Sequence, residues 1–182
     1  MPTPLLVSGT PGAGKSTLAR LLAGRRSRAV LIETDRFFDF VCHIIDPSTP
    51  AAEQQNNTVV AAYCSAASVY AGGGYDVILE GVLGPWLFPL VLREFDTFDY
   101  LLLHASRTTV EERISHRDGA ESGMGDILER MYPQFERVLD SFSTNVLHTD
   151  SLSLPELVDR AERMLASGQC RITANPQVSP SR

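Results

Sequence analysis

Lysine is almost absent from this chain: of its 16 basic residues, all but Lys15 are arginine. Positive charge as a whole is in deficit, with a net charge of -6 and a pI near 5.2, which argues against a dedicated nucleic-acid binder because neutralising phosphates needs a basic face. Cysteine is equally scarce. Cys42, Cys64 and Cys170 are odd in number and show no C-x-x-C spacing, so a disulfide framework is excluded and a reducing cytoplasm is the expected home. No apolar run approaches the roughly eighteen residues of a membrane span, and no basic leader precedes the first apolar stretch, so the chain is expected to be neither membranous nor exported. Internal repeats and low-complexity segments are also missing.

What is present suits one globular domain. The 182 residues are 43% hydrophobic with mean hydropathy -0.04, enough for one sizeable core but not two. Short apolar runs alternate with helical patterns, the rhythm of a parallel sheet covered on both faces. Strands are expected at residues 4–8, 29–34, 76–80, 100–104 and 145–149. Helices are expected at 15–23, from 50 to 70, at 108–116, 126–142 and 154–165. Residues 117–126, with Gly119, Gly123 and Gly125, read as a mobile lid, and residues 1–168 as the domain. Residues 169–182 read as a disordered tail.

Between the first strand and the first helix stands Gly9-Thr10-Pro11-Gly12-Ala13-Gly14-Lys15-Ser16-Thr17. It is a full match to G-x-x-x-x-G-K-[ST] in the strand–loop–helix context the motif requires. Glycines let backbone N–H groups turn inward around phosphate oxygens, and the positive end of the following helix adds its field. Lys15 is expected to span the β- and γ-phosphates of ATP, and the Ser16 hydroxyl to bind Mg²⁺. The lone lysine excludes rival nucleotide machines, since none remains for the Asn-Lys-x-Asp guanine signature. His116-Arg117-Asp118 mimics a protein-kinase triplet, but no strand lysine or Asp-Phe-Gly accompanies it.

In open α/β sheets ligands lie beyond the carboxyl ends of the strands, which makes the acids there the ones to inspect. Glu33 and Asp35, two apart, are expected on one face of the second strand, and Glu80 ends the third. Asp35 is the expected base or acceptor-orienting group, with Glu80 or Glu33 steadying Mg²⁺ through water. Arg113 and Arg117, spaced i, i+4, share a helix face before the glycine loop. Arg117 is the expected catalytic arginine folding over the phosphates and Arg113 a nucleotide contact; Arg107 and Arg130 are lesser candidates. The histidines have no metal-ligand spacing.

The phosphate loop, Asp35-Arg36-Phe37-Phe38, Val77-Ile78-Leu79-Glu80-Gly81 and the Arg113/Arg117 helix together resemble the small P-loop kinases. Chloramphenicol phosphotransferases, zeta-toxin-like kinases, gluconokinases and shikimate kinases are among them. The resemblance covers residues 4 to 165. It implies a three-layer α/β fold with a five-stranded parallel sheet, a mobile lid, and transfer of the ATP γ-phosphoryl to a small-molecule hydroxyl, with Asp35 at the acceptor. Gly81-Val82-Leu83-Gly84 lacks the triple glycine of shikimate kinases, which disfavours shikimate.

The acceptor region, residues 36–92, supplies a constraint of its own. From Phe37 to Leu92 there is no lysine or arginine, whereas phosphorylated or carboxylated acceptors are normally clamped by arginine forks. An uncharged or cationic acceptor is expected, with Phe37, Phe38, Phe40, Tyr63 and Trp86 as candidate walls and Arg36 as the one cation placed to alter the balance. Two other functions compete: a nucleotide-binding regulatory or partner-binding module without transfer, and a nucleotide or polynucleotide kinase, the latter weakened by the acidic balance.

Overall fold

Alternation along the strands builds two cores, one on each side of a central sheet. In the computed structural model, which describes residues 2–118 and 124–174, with the backbone alone at 117–118 and 124–127, the strands are β1 (Leu5–Gly9), β2 (Ala29–Glu33), β3 (Asp76–Glu80), β4 (Thr97–His104), β5 (Val146–His148) and β6 (Arg171–Thr173). The helices are α1 (Lys15–Gly24), α2 (Glu53–Gly72), α3 (Phe88–Val91), α4 (Arg107–Asp118), α5 (Met124–Glu136) and α6 (Leu154–Ala166). Leu5, Val7, Ile78, Leu101 and Leu103 point to one face and pack on α1 and α6 through Leu18, Leu22, Leu157, Val158 and Met164. Leu6, Val77, Leu79, Tyr100 and Leu102 point to the other, against Val60, Tyr63 and Ala67 of α2 and Phe88 of α3. The result is the expected three-layer α/β arrangement. Among the described residues no helix is long and apolar enough to cross a membrane.

The strands run in the order β2-β3-β1-β4-β5, all parallel. β1 therefore has β3 on one side and β4 on the other, and the crossovers depart in opposite directions there. That switch point opens a crevice beyond the carboxyl end of β1, where the phosphate loop lies.

Three expectations need correction. The tail expected from residue 169 onward instead begins with β6, which pairs antiparallel with β4 through Phe98↔Ile172; residues 175–182 lie outside the described residues. β5 covers only residues 102–104 of β4, so the first half of that edge is open to a partner strand, and the buried Asn145 donates to both Tyr100 O and Cys170 O to hold β6 there. The helix expected at 126–142 ends at Glu136. Just beyond it Val138 N donates to Phe135 O and Leu139 N to Glu136 O, both i−3, and residues 140–145 form a separate 3₁₀ turn. The second strand stops at Glu33, and Thr34–Phe40 winds into a 3₁₀ helix. Glu33 and Asp35 consequently do not share a strand face. Of the expected lid at 117–126, residues 119–123 lie outside the described residues, and its flanks belong to the adjoining turns of α4 and α5.

Candidate active site

The phosphate loop is shaped by close approaches that only glycine allows. A Cβ on Gly9, at φ 142°, would overlap Leu103 O of β4, so β1 and β4 close together only because that side chain is missing. Gly12 and Gly14 adopt left-handed φ values of 78° and 97°. The turn closes through Ala13 N donating to Thr10 O, 3.2 Å, and the chain then enters α1 with no side chain capping its first N–H groups. Those donors and the helix field face the loop.

Lys15 is buried, 8% exposed, and its Nζ donates to Thr10 O at 3.0 Å, which holds the ammonium against the loop. Thr10 Oγ1 is buried without a hydrogen-bond partner, and the Cβ direction of Gly14 meets nothing within 4 Å. An uncapped helix start, an orphan hydroxyl, an open glycine and a fixed ammonium fit the phosphates of ATP. Ser16 Oγ donates to Glu80 Oε1 at 3.0 Å. A hydroxyl and a carboxylate side by side under the loop are the hard oxygen donors that Mg²⁺ takes.

Glu80 and Asp35 are brought together by the end of β3. Thr34 Oγ1 donates to Glu80 O, 3.1 Å, which draws the turn after β2 across the β3 terminus. Gly81 leaves the room: a Cβ there would overlap Thr34 Oγ1 and stand 3.1 Å from Asp35 Oδ1. Desolvation is the largest influence on Glu80 and raises its pKa, opposed by the Lys15 charge and the Ser16 hydrogen bond, while Asp35 and Glu33 push it further up. Asp35 has accessible surface, yet protein surrounds its carboxyl closely enough that desolvation again dominates and raises its pKa. Lys15 and the Val82 N–H oppose this, and Asp39 adds to it. Lys15 thus acts on both acids.

Asp35 opens on a cleft of about 740 Å³. Thr34, Phe38, Tyr63, Leu83, Trp86 and Met131 are among its lining residues. Phe37 and Phe40 are not; Phe37 packs edge-on against Phe40 and Tyr63, and Phe40 is 75% exposed.

The expected residues separate clearly in space. Glu33 is committed to Arg20 at 2.7 Å and to Arg36, which holds it away from Ser16 and lowers its pKa. Arg36 is thereby turned away from the cleft. Arg113 bridges the phosphate loop to the turn after β5, donating to Gly12 O at 3.4 Å, Thr149 Oγ1 at 3.0 Å and Thr149 O at 2.9 Å. Arg107 pairs with Glu111 and Glu129. The Arg117 side chain lies outside the described residues. Thr17 is exposed on the first turn of α1. His104 sits between Glu136 at 2.6 Å and His148 at 3.4 Å, and among the described residues no group of His, Cys, Asp or Glu is arranged to hold a metal by itself.

Sequence reasoning missed two features of the cleft. Arg130 of α5 lines it, with Nη1 on Ser48 Oγ at 2.8 Å and 3.5 Å from Asp46 Oδ2, so a basic group enters the acceptor region from outside residues 36–92. Asn56 and Val60 also line it, on the same helix face as the expected Tyr63. Their i, i+4, i+7 spacing on α2 is a signal the sequence carries.

The sheet order and the glycine loop define a P-loop nucleotide-binding fold. A family model described as AAA domain matches residues 5–134, and the chain belongs to that family. No curated protein matches the sequence significantly. Among solved structures, a sugar kinase from Janibacter sp. HTCC2649 matches with TM-score 0.65 and 17% identity, over 91% of this chain and 95% of its own. A gluconokinase from Sinorhizobium meliloti 1021 matches with TM-score 0.64 and 19% identity, over 91% and 93%. Shikimate kinase from Acinetobacter baumannii, in complex with shikimate, matches with TM-score 0.60 and 14% identity, over 92% and 95%. At these identities the likeness is one of fold.

Proposed function

We propose that this protein is an ATP-dependent phosphotransferase that moves the γ-phosphoryl of Mg-ATP to a hydroxyl of a small uncharged or cationic acceptor. The observation that carries the reading is Asp35: a carboxyl lining the cleft, within the field of the phosphate-loop lysine and close enough to Glu80, which receives the Ser16 hydrogen bond, for the two acids to act on each other. The acceptor hydroxyl attacks the γ-phosphorus, the bond from phosphorus to the β–γ bridging oxygen breaks, and ADP leaves with that electron pair. Asp35 accepts the hydroxyl proton and passes it to solvent. Lys15 and the N–H groups at the start of α1 balance the charge on the phosphates. Ser16 and Glu80 are the residues that would hold Mg²⁺, directly and through water. The metal, when bound, neutralises phosphate charge.

The cleft wall supports an uncharged or cationic acceptor. Asp35 and Asp46 stand against Arg130, and Arg130 is engaged with Asp46 and Ser48, so an acidic acceptor meets a negative balance. The same balance favours a small molecule over a nucleic acid.

The test is ATP consumption with and without a panel of alcohols, together with calorimetric titration of ATP and magnesium. Lys15→Ala is expected to abolish nucleotide binding, while Asp35→Asn keeps it and lowers transfer by about 10²-fold or more. ATP binding with no Asp35-dependent transfer to any acceptor would identify a binding module instead.

A further inference from the structure

Two polar atoms on the cleft-facing side of α2 are buried without partners: Asn56 Oδ1 and the Tyr63 hydroxyl. They stand i, i+7 with Val60 between them, so one helix face carries both to the cavity that Asp35 opens on. Tyr63 is only 2% exposed. The Asn56 amide is oriented, since Nδ2 donates to Pro47 O at 2.8 Å and Oδ1 is left as the open end. An unpaired buried acceptor is costly, and a ligand that brings a donor removes that cost. Burial first, then Cys64 and Asp35, raise the Tyr63 pKa, so its hydroxyl stays protonated and able both to give and to take a hydrogen bond.

We infer that Asn56 and Tyr63 select the acceptor, and that it is an amphipathic alcohol: besides the hydroxyl that reacts it carries a further hydrogen-bond donor for Asn56 Oδ1, and an apolar ring or chain for the wall made by Phe38, Leu83, Trp86 and Met131. The inference rests on the phosphotransferase reading for the identity of the cleft as an acceptor site, and it narrows that reading to a substrate class. A compact polyol leaves the apolar wall wet. A carboxylate brings charge against Asp35 and Asp46 and offers no donor to Asn56.

Trp86 is the chain's single tryptophan and lines the cleft, so its emission reports acceptor binding without turnover. The full-length protein is titrated with glycerol phenyl ether, the same compound with its secondary hydroxyl methylated, glycerol, and phenyllactate. Glycerol phenyl ether is expected to bind tightest. Asn56→Leu and Tyr63→Phe each weaken it by about 3- to 10-fold, the scale of one hydrogen bond. Asn56→Leu loses this effect with the methylated ether, which has no donor at that position. Tyr63→Phe, which removes a hydroxyl with no protein partner, leaves the melting temperature unchanged or raises it; a purely structural hydroxyl would lower it.

Equal affinity of native and both variants for every probe overturns the inference. So does preference for phenyllactate or glycerol, or the absence of any Trp86 response. A response with the expected pattern, together with no Asp35-dependent transfer to any alcohol of the wider panel, supports the binding class while refuting the phosphotransferase reading, so the two failures are separable.

Discussion

The hydroxyl of Ser16, in the first turn of α1, donates to Oε1 of Glu80, at the end of β3, across 3.0 Å. The bond links the phosphate loop to the neighbouring strand and keeps a buried carboxylate beside a helix start. Burial raises the Glu80 pKa, so the stability contributed by its protonated form is complete below the ordinary carboxylate range and is lost as pH rises through the raised value. Glu80→Gln is expected to stabilise the nucleotide-free protein at neutral pH by on the order of 1 kcal/mol, about 2–4 °C in melting temperature. The same variant should need about 10- to 100-fold more magnesium for half-maximal activity. Thermal melts without nucleotide and magnesium titrations of activity check the two halves; a fall in melting temperature refutes the first.

Gly81 is the spacer between the two acids' elements. Gly81→Ala forces a Cβ onto Thr34 Oγ1 and against Asp35 Oδ1, so the 3₁₀ turn after β2 has to move. The expected cost is about 1–3 kcal/mol of stability and about 10²-fold in transfer, since displacing the acceptor base by an ångström is enough. Nucleotide affinity should change little, because the phosphate loop is untouched. Urea unfolding, steady-state kinetics and ATP calorimetry on the one variant measure all three.

Asp150 provides an acid-dependent contribution of opposite sign. Its desolvation would raise its pKa, but hydrogen bonds from the Ser106 backbone and side chain and from Thr109 outweigh it and lower the value to about 2. The stability it adds is present above the ordinary carboxylate pKa and is lost as pH falls toward about 2. Asp150 is solvent-exposed, so screening holds the effect to about 1 kcal/mol or less. Urea midpoints near pH 5 and pH 2.5 should differ less for Asp150→Asn than for the native chain, once the remaining titrations are subtracted as a common background. An equal difference in both proteins counts against the assignment.

Removing the chain after Gly168 tests β6. The truncation deletes the buried Cys170 and the Arg171 guanidinium that pairs with Asp99 at 2.6 Å, and it exposes the first half of the β4 edge. A melting temperature lower by about 4 °C or more is expected, together with a greater tendency to associate through the bare edge. Differential scanning calorimetry and light scattering read both; an unchanged melt would mean that β6 adds nothing.

Much of the fold was legible because period-two and helical patterns are local. Val77-Ile78-Leu79 announces a strand buried on both faces, and Gly14-Lys15-Ser16 announces the loop and the helix after it. Residues 171–173 gave no such signal. Three residues with one apolar side chain look like a tail, and they become a strand only because β5 leaves half of β4 uncovered. The G-x-x-x-x-G-K-[ST] spacing marked the expected phosphate seat, and the chain's one lysine falls within it. Arg130 was invisible as a cleft residue because it enters from α5, far along the chain from the acceptor region.

The sequence by itself determined the chemistry of the loop, since glycines in the left-handed region and one ammonium at a helix start need no distant partner to be recognised. It also determined that acids stand at the strand ends. Which acid serves which neighbour was decided only in three dimensions. Glu33 and Glu80 pair with each other in register across β2 and β3, yet one meets Arg20 and Arg36 at the surface and the other meets Ser16 beneath the loop. The sheet order, with β3 rather than β2 next to β1, makes that choice, because a carboxylate reaches only the groups that strand neighbours bring within a few ångströms of it.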